Sequence, residues 1–337
     1  MAEGRFQFAS DNTAGAAPEA REALMEFNDG AASGYGTDHV TVQAADAVRS
    51  FLDADADVRF LGSGTAANAI ALATLCRPFE SVLAHRDAHV CTDETGAPGF
   101  FGHGLGLIPV DGPSGRMDPG NLIEALSVPD ASYRQSPAAL TLTNATEYGS
   151  TYTPDQIRTL TGIAREHGFP VHLDGARLAN AIAGGFPATA LKDLGIDMLV
   201  IGGTKNGMTP TEALVLFDKS LSHRFDARLK QAGQLPSKGR FYSAPWIGML
   251  RDGAYLRYAA HANAMARKLA AGMPFPIRHP VEANGLFVDM GEDAHQRLAA
   301  EGWFVYRFTD GSIRFMCSWR TTEAEVDALL DSLKRIA

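Results

Sequence analysis

Short apolar, β-rich runs recur between residues 55 and 220: Val58 to Leu61, Ser81 to Ala84, Leu107 to Val110, Ala139 to Thr143, Pro170 to Leu173, Met198 to Ile201 and Ala213 to Phe217. Helical patterns separate them, and this alternation predicts an α/β domain built on a mixed, mostly parallel sheet. One intervening helix marks its own start in Thr153-Pro154-Asp155-Gln156, which joins an N-cap, a proline at the first helical position and a capping-box glutamine. Ile157, Leu160 and Ile163 supply its apolar face.

Beyond Pro245 the pattern changes to a long helical stretch through Tyr255 to Leu269, then punctuated strands at Gly285 to Met290 and Gly311 to Cys317, and a last helix. Thr322 and Glu325 form the capping box of that helix, and Val326, Leu329, Leu330 and Leu333 its apolar side. We read residues 1–15 as an N-terminal arm, 16–245 as a large α/β domain and 246–337 as a small α+β domain packed closely on it. The Gly-rich stretch from Gly96 to Gly106 reads as a loop able to move.

Apolar residues make up 45% of the chain and charged residues 20%, a composition that folds. The net charge of −9 argues against nucleic acid or an anionic membrane as main partner. Cys76, Cys91 and Cys317 form no metal or disulfide pattern and fit a reducing compartment. With no apolar run near the roughly 18 residues that span a bilayer, we expect a cytoplasmic protein.

Three motifs carry candidate chemistry. Gly62-Ser63-Gly64-Thr65-Ala66-Ala67-Asn68 leads from a strand into a helix, where backbone N–H groups and the helix dipole favour a phosphate. Asp174 follows a buried strand, at the edge where open α/β sheets collect ligands, and could pair with a protonated ring nitrogen. Lys205 lies in the turn Gly203-Thr204-Lys205-Asn206-Gly207 after another apolar strand, a place where an amine can be desolvated and used to form a Schiff base. Singly, each has an ordinary reading: a capped turn, a helix cap pairing with Arg177, a solvated lysine. In this order, each at a strand end, they match the needs of a pyridoxal 5'-phosphate (PLP) domain. A nicotinamide-binding oxidoreductase fits less well, because no full glycine fingerprint is present.

At these residues the chain resembles the low-specificity L-threonine aldolases, of the β-eliminating lyase group of fold type I (aspartate-aminotransferase-like) PLP enzymes, with a phenylserine-aldolase-like branch nearest. The likeness runs through Ala9 to Thr13, Gly34 to Asp38 with Tyr35, Gly62 to Asn68, Ala88 to Glu94, His172 to Leu178, Gly202 to Met208, Lys230 to Gly233 and Ile313 to Phe315. It implies Lys205 as the Schiff-base lysine, Asp174 as partner of the pyridine nitrogen, His89 as the ring stacked on the cofactor, and Gly64 and Thr65 as phosphate holders. It implies Ser10, Arg177 and Arg314 around the substrate carboxylate, with Tyr35 among the substrate-binding residues, and a small amino acid as substrate.

Glu147 stands where many relatives carry a histidine, and Lys230 where they carry an arginine that reaches a neighbouring subunit's cofactor phosphate. The resemblance therefore implies a homo-oligomer, dimer or tetramer, with sites at subunit interfaces. The reaction it implies is aldol cleavage of a β-hydroxy-α-amino acid to glycine and an aldehyde, with His89 as base and Glu147 behind it. Bland readings remain for both: His89 as a ring satisfied by backbone, Glu147 as a solvated loop residue. Another fold type I lyase, or a PLP-binding protein without turnover, would share Lys205 and Asp174.

Overall fold

The computed structural model describes residues 7–337; residues 1–6 of the expected N-terminal arm lie outside the described residues. Each of the apolar runs is a strand: β1 (Asp57–Leu61), β2 (Glu80–His85), β3 (Gly106–Val110), β4 (Ser136–Thr143), β5 (Val171–Gly175), β6 (Met198–Gly202) and β7 (Glu212–Leu216). They form one sheet in the order β1-β7-β6-β5-β4-β2-β3. Only β7 is reversed, antiparallel to both β1 and β6. The carboxyl ends of the other strands share one edge, and β7 begins at that edge, where Glu212 pairs with Leu61 and Gly202.

Residues of β6 divide between two cores, as the two-residue period of a strand requires. Met198 and Val200 pack with Ala67, Ile70 and Ala71 of the helix Gly64–Leu75. Leu199 and Ile201 join Val48, Leu160, Trp246 and Tyr255 on the other face. Helix Gly64–Leu75 is rich in alanine and leucine, the best helix formers, and starts at Ser63, whose hydroxyl accepts the Ala66 N–H.

The small domain is an antiparallel sheet of β8 (Gly285–Val288), β9 (Tyr306–Arg307) and β10 (Ile313–Met316), ordered β8-β10-β9. Leu286, Val288 and Phe315 pack there with Leu329 and Leu333 of the last helix, Glu323–Ile336. Both expected capping boxes are formed, at Thr153/Gln156 and Thr322/Glu325. Thr322→Ala, which deletes the acceptor for the Glu325 N–H, should lower the unfolding free energy by about 1 kcal/mol in a denaturant titration.

The boundary expected after residue 245 falls instead inside one helix, Arg240–Arg251. Proline costs an interior helix about 3 kcal/mol, but this helix buries Ala244, Trp246, Ile247 and Met249, and that burial outweighs the local break. The core changes along the next helix, Ala254–Gly272: Tyr255 and Ala259 belong to the large core, Met265 and Leu269 to the small one. The N-terminal segment, from the arm into the helix Pro18–Glu26, bridges both. Phe8 fills the small core and its carbonyl accepts the Met316 N–H at 2.9 Å, while Ala17 and Ala20 lie in the large core.

Within the stretch expected as a loop, Ala97–Phe101 is a short helix with Pro98 in its first turn. No helix among the described residues is long and apolar enough to cross a membrane.

Candidate active site

The sheet's carboxyl edge brings the three motifs together. After β1 the chain turns into the helix Gly64–Leu75; the space in front of Gly64 is open, and the first N–H groups of a helix have no partner within it. A Cβ at Gly62 would sit 2.8 Å from the Tyr242 hydroxyl, so the Tyr242 side chain would have to shift to admit one.

At the end of β5, Asp174 is buried with both carboxylate oxygens engaged. Oδ1 accepts the Ala176 N–H at 2.9 Å and Oδ2 accepts from Asn68 Nδ2 at 2.8 Å. After β6, a Cβ on Gly203 would meet Thr211 O at 2.5 Å, so the lysine turn lies flat on the segment that follows it. Gly207 closes the turn at φ 89°, a conformation that favours glycine. Glu212 accepts the Gly203 N–H at 2.8 Å, and burial pushes its carboxyl up to about 7. Lys205 is half-buried, and burial together with the Arg177 charge lowers its pKa, the condition for a nucleophilic amine.

His89 begins a short helix after β2. Its ring is not satisfied by backbone: Nδ1 lies 2.9 Å from Glu94 Oε1, and this bond raises the pKa of the ring. Its backbone N–H donates to Glu147 Oε1 at 2.8 Å. Glu147 is therefore not a solvated loop residue; Oε2 is sealed with no protein partner, and burial raises its carboxyl to about 7.

Arg177, expected to grip the substrate carboxylate, has its fork taken inside the protein. Nε and Nη2 donate to Asp11 Oδ2 and Oδ1 at 2.7 and 2.9 Å. Burial alone would raise the Asp11 carboxyl, yet Arg177 holds it at about 2. The preference of a guanidinium for a planar two-oxygen anion identifies Arg177 as a fork holder, but the anion present is internal. Arg314 is different. Its Nη2 makes one long contact, 3.4 Å to Ala9 O, its Nε is sealed without a partner, and the guanidinium lies over the Tyr306 and Phe308 rings. Ser10 lies between, its hydroxyl accepting the Asn12 N–H at 3.2 Å.

Tyr35 and Lys230 meet each other instead: Lys230 Nζ lies 4.2 Å from the centre of the Tyr35 ring. Among the described residues, no hydrogen bond or ring contact joins this pair to Lys205, Asp174 or His89. Tyr35 lines a separate recess with Arg59, Phe60 and Asp226.

Sequence reasoning assigned no role to Asn68, Glu94, Asp11 or Glu212. Asn68 had a signal, as a polar residue in the otherwise apolar run Ala66-Ala67-Asn68-Ala69-Ile70-Ala71. Asp11 meets Arg177 across 166 positions, which no local pattern reveals, whereas Glu94 and Glu212 lie within ten residues of their partners His89 and Gly203. The assembled residues fit PLP: open helix N–H groups for a phosphate, Asp174 for a ring nitrogen, Lys205 for an aldehyde, and the unpartnered Arg314 Nε for a carboxylate.

Comparison with known proteins agrees with this geometry. The family model described as beta-eliminating lyase matches residues 7–293. A low specificity L-threonine aldolase from a Pseudomonas species is 45% identical, covering 100% of this chain and 99% of that protein. A threonine aldolase structure from Leishmania major is 30% identical with a TM-score of 0.92, covering 99% of this chain and 100% of that one. A serine palmitoyltransferase from S. paucimobilis, solved with bound PLP-myriocin, shares the fold alone, at 17% identity and a TM-score of 0.70 over 99% of this chain and 86% of that one. With its lysine turn, buried aspartate and helix N-terminus at one sheet edge, the chain belongs to the beta-eliminating lyase family, in its threonine aldolase group.

Proposed function

We propose that this protein is a PLP-dependent aldehyde-lyase that cleaves L-threonine, L-allo-threonine and β-aryl relatives such as L-phenylserine between Cα and Cβ, giving glycine and an aldehyde. The observation that carries this is the half-buried Lys205 under the charges of buried Asp174, Asp11 and Arg177, with Arg314 near the same Asp11 and keeping a sealed, unpartnered donor. When bound, PLP supplies the electron sink for the carbanion left at Cα.

The chain's residues do the rest. Gly64 and Thr65 would hold the cofactor's phosphate with backbone N–H groups, and Lys205 Nζ would supply the amine that binds its aldehyde. Asp174 would pair with its pyridine nitrogen and His89 would lie against its ring. Arg314 and Ser10 would bind the substrate carboxylate and so fix the orientation that selects the bond that breaks. Arg177 acts through Asp11, locking the arm that carries Ser10. His89 takes the β-hydroxyl proton, with the Glu147 carboxyl next to it. The Tyr35–Lys230 pair serves a neighbouring subunit's site, so the enzyme works as a homo-oligomer, and the location is cytoplasmic.

Incubation of the holoenzyme with L-threonine should release equal amounts of glycine and acetaldehyde. Ammonia with a 2-oxo acid would indicate a β-eliminating enzyme, and no product with PLP bound would indicate a binding protein. Arg314→Lys, which turns the sealed fork into a point charge, should raise KM for L-threonine roughly 10- to 100-fold with a smaller change in kcat.

A further inference from the structure

Asn68 and Glu94 have no part in the reaction as derived above, yet both are buried at its centre. The Asn68 amide donates to two different carboxylates, Glu94 Oε1 at 2.9 Å and Asp174 Oδ2 at 2.8 Å. Glu94 Oε1 is also the partner of His89 Nδ1, at 2.9 Å. An unbroken chain of hydrogen bonds therefore runs from Asp174 through Asn68 and Glu94 to the imidazole.

Its direction follows from what each group can do. An amide nitrogen only donates, so Asn68 requires a lone pair on each carboxylate, and an ionised Glu94 has only acceptors to offer the imidazole. The same oxygen faces the imidazole, and a proton on Nδ1 completes the bond. In the neutral ring the lone pair is then on Nε2.

We propose that Glu94, clamped by Asn68 against Asp174, is a positioning residue that keeps the proton of His89 on Nδ1 and makes Nε2 the nitrogen that accepts the substrate's hydroxyl proton. This rests on the reading of His89 as the base. The charged and titratable groups facing His89 are Glu94 from its own segment, Glu147 from the loop after β4, Asp174 from β5 and Lys205 from the turn after β6. The Glu94 bond raises the His89 pKa, and burial raises that of Glu94, so the two compete for one proton.

The test uses holoenzyme labelled with 15N-histidine, in which the His89 signals are assigned by their loss in His89→Asn. At alkaline pH the ring should carry its proton on Nδ1. Glu94→Leu should erase this preference and lower kcat on the order of 100-fold, with KM changed by less than about threefold. Glu94→Gln keeps a carbonyl oxygen for Asn68 and His89 but removes the charge. It should retain the Nδ1 proton and most of kcat, while the acidic limb of the kcat/KM profile moves to lower pH, because the neutral ring is the active form and its pKa has fallen.

A ring protonated on Nε2 in the unsubstituted enzyme overturns the proposal, as does an acidic limb that Glu94→Gln leaves in place. Both readouts stand even if Glu94→Leu does not fold. Undiminished kcat in His89→Asn overturns His89 as the base, while the Nδ1 signal still decides for or against the role of Glu94.

Discussion

Lys205→Ala is expected to abolish aldol cleavage, with kcat for L-threonine falling by at least on the order of 1,000-fold and the visible absorbance of the bound cofactor lost. The side chain can act because burial and the nearby Arg177 charge depress its pKa, raising the share of neutral amine. Arg177 nearby cannot replace it, since a guanidinium does not give up its proton. The fold should survive. Asp11, Asp174 and Glu212, which feel the lysine charge, each keep another donor: Arg177, Asn68 and the Gly203 N–H. Unfolding free energy should change by no more than about 1 kcal/mol. Glycine release by the variant at more than a few per cent of the parent rate, roughly, would sink Lys205 as the cofactor amine.

Asp11→Ala should cost about 3–5 kcal/mol of stability, because it leaves the Arg177 guanidinium in place without its counter-charge. Asn284 Nδ2 loses an acceptor in the same step, at 3.2 Å from Asp11 Oδ2. The acid dependence gives an independent check. Arg177 holds the folded-state pKa at about 2 against the ordinary 3.8, so the folded state disfavours the proton. The stabilisation, about 2 kcal/mol, is present above the unfolded pKa and lost as pH falls through the folded one. Urea unfolding followed downward from about pH 5 should show this loss, and Asp11→Asn should show none of it from this site. An Asp11→Ala protein as stable as its parent would mean that the ion pair is not held in solution as it is here.

The strands were legible because buried apolar runs between helices leave a strong local pattern, and all of them from Val58 to Phe217 sit in the sheet. Lys205, Asp174 and the Gly64 turn were legible for a related reason: each follows such a run, so its place at the edge came with the strand. His89 and Glu147 came through resemblance, and the structure adds the contact between them. What stayed hidden depends on contacts across the sequence. Asn68 meets Asp174 across 106 positions and Arg177 meets Asp11 across 166, separations over which neither spacing nor periodicity carries information. Pro245 misled for the opposite reason, since a local signal for a break was overridden by packing on both sides of it.

The reversal of β7 also sets an order of assembly. β6 and β7 form a hairpin around the lysine turn, a local contact that can close early. β1 is held in the sheet only through β7, with Asp57 opposite Leu216, so its pairing waits for a distant part of the chain. A chain cut short before residue 212 would lose the strand that pairs with β1, and with it the sheet contact that holds the strand leading into the phosphate turn.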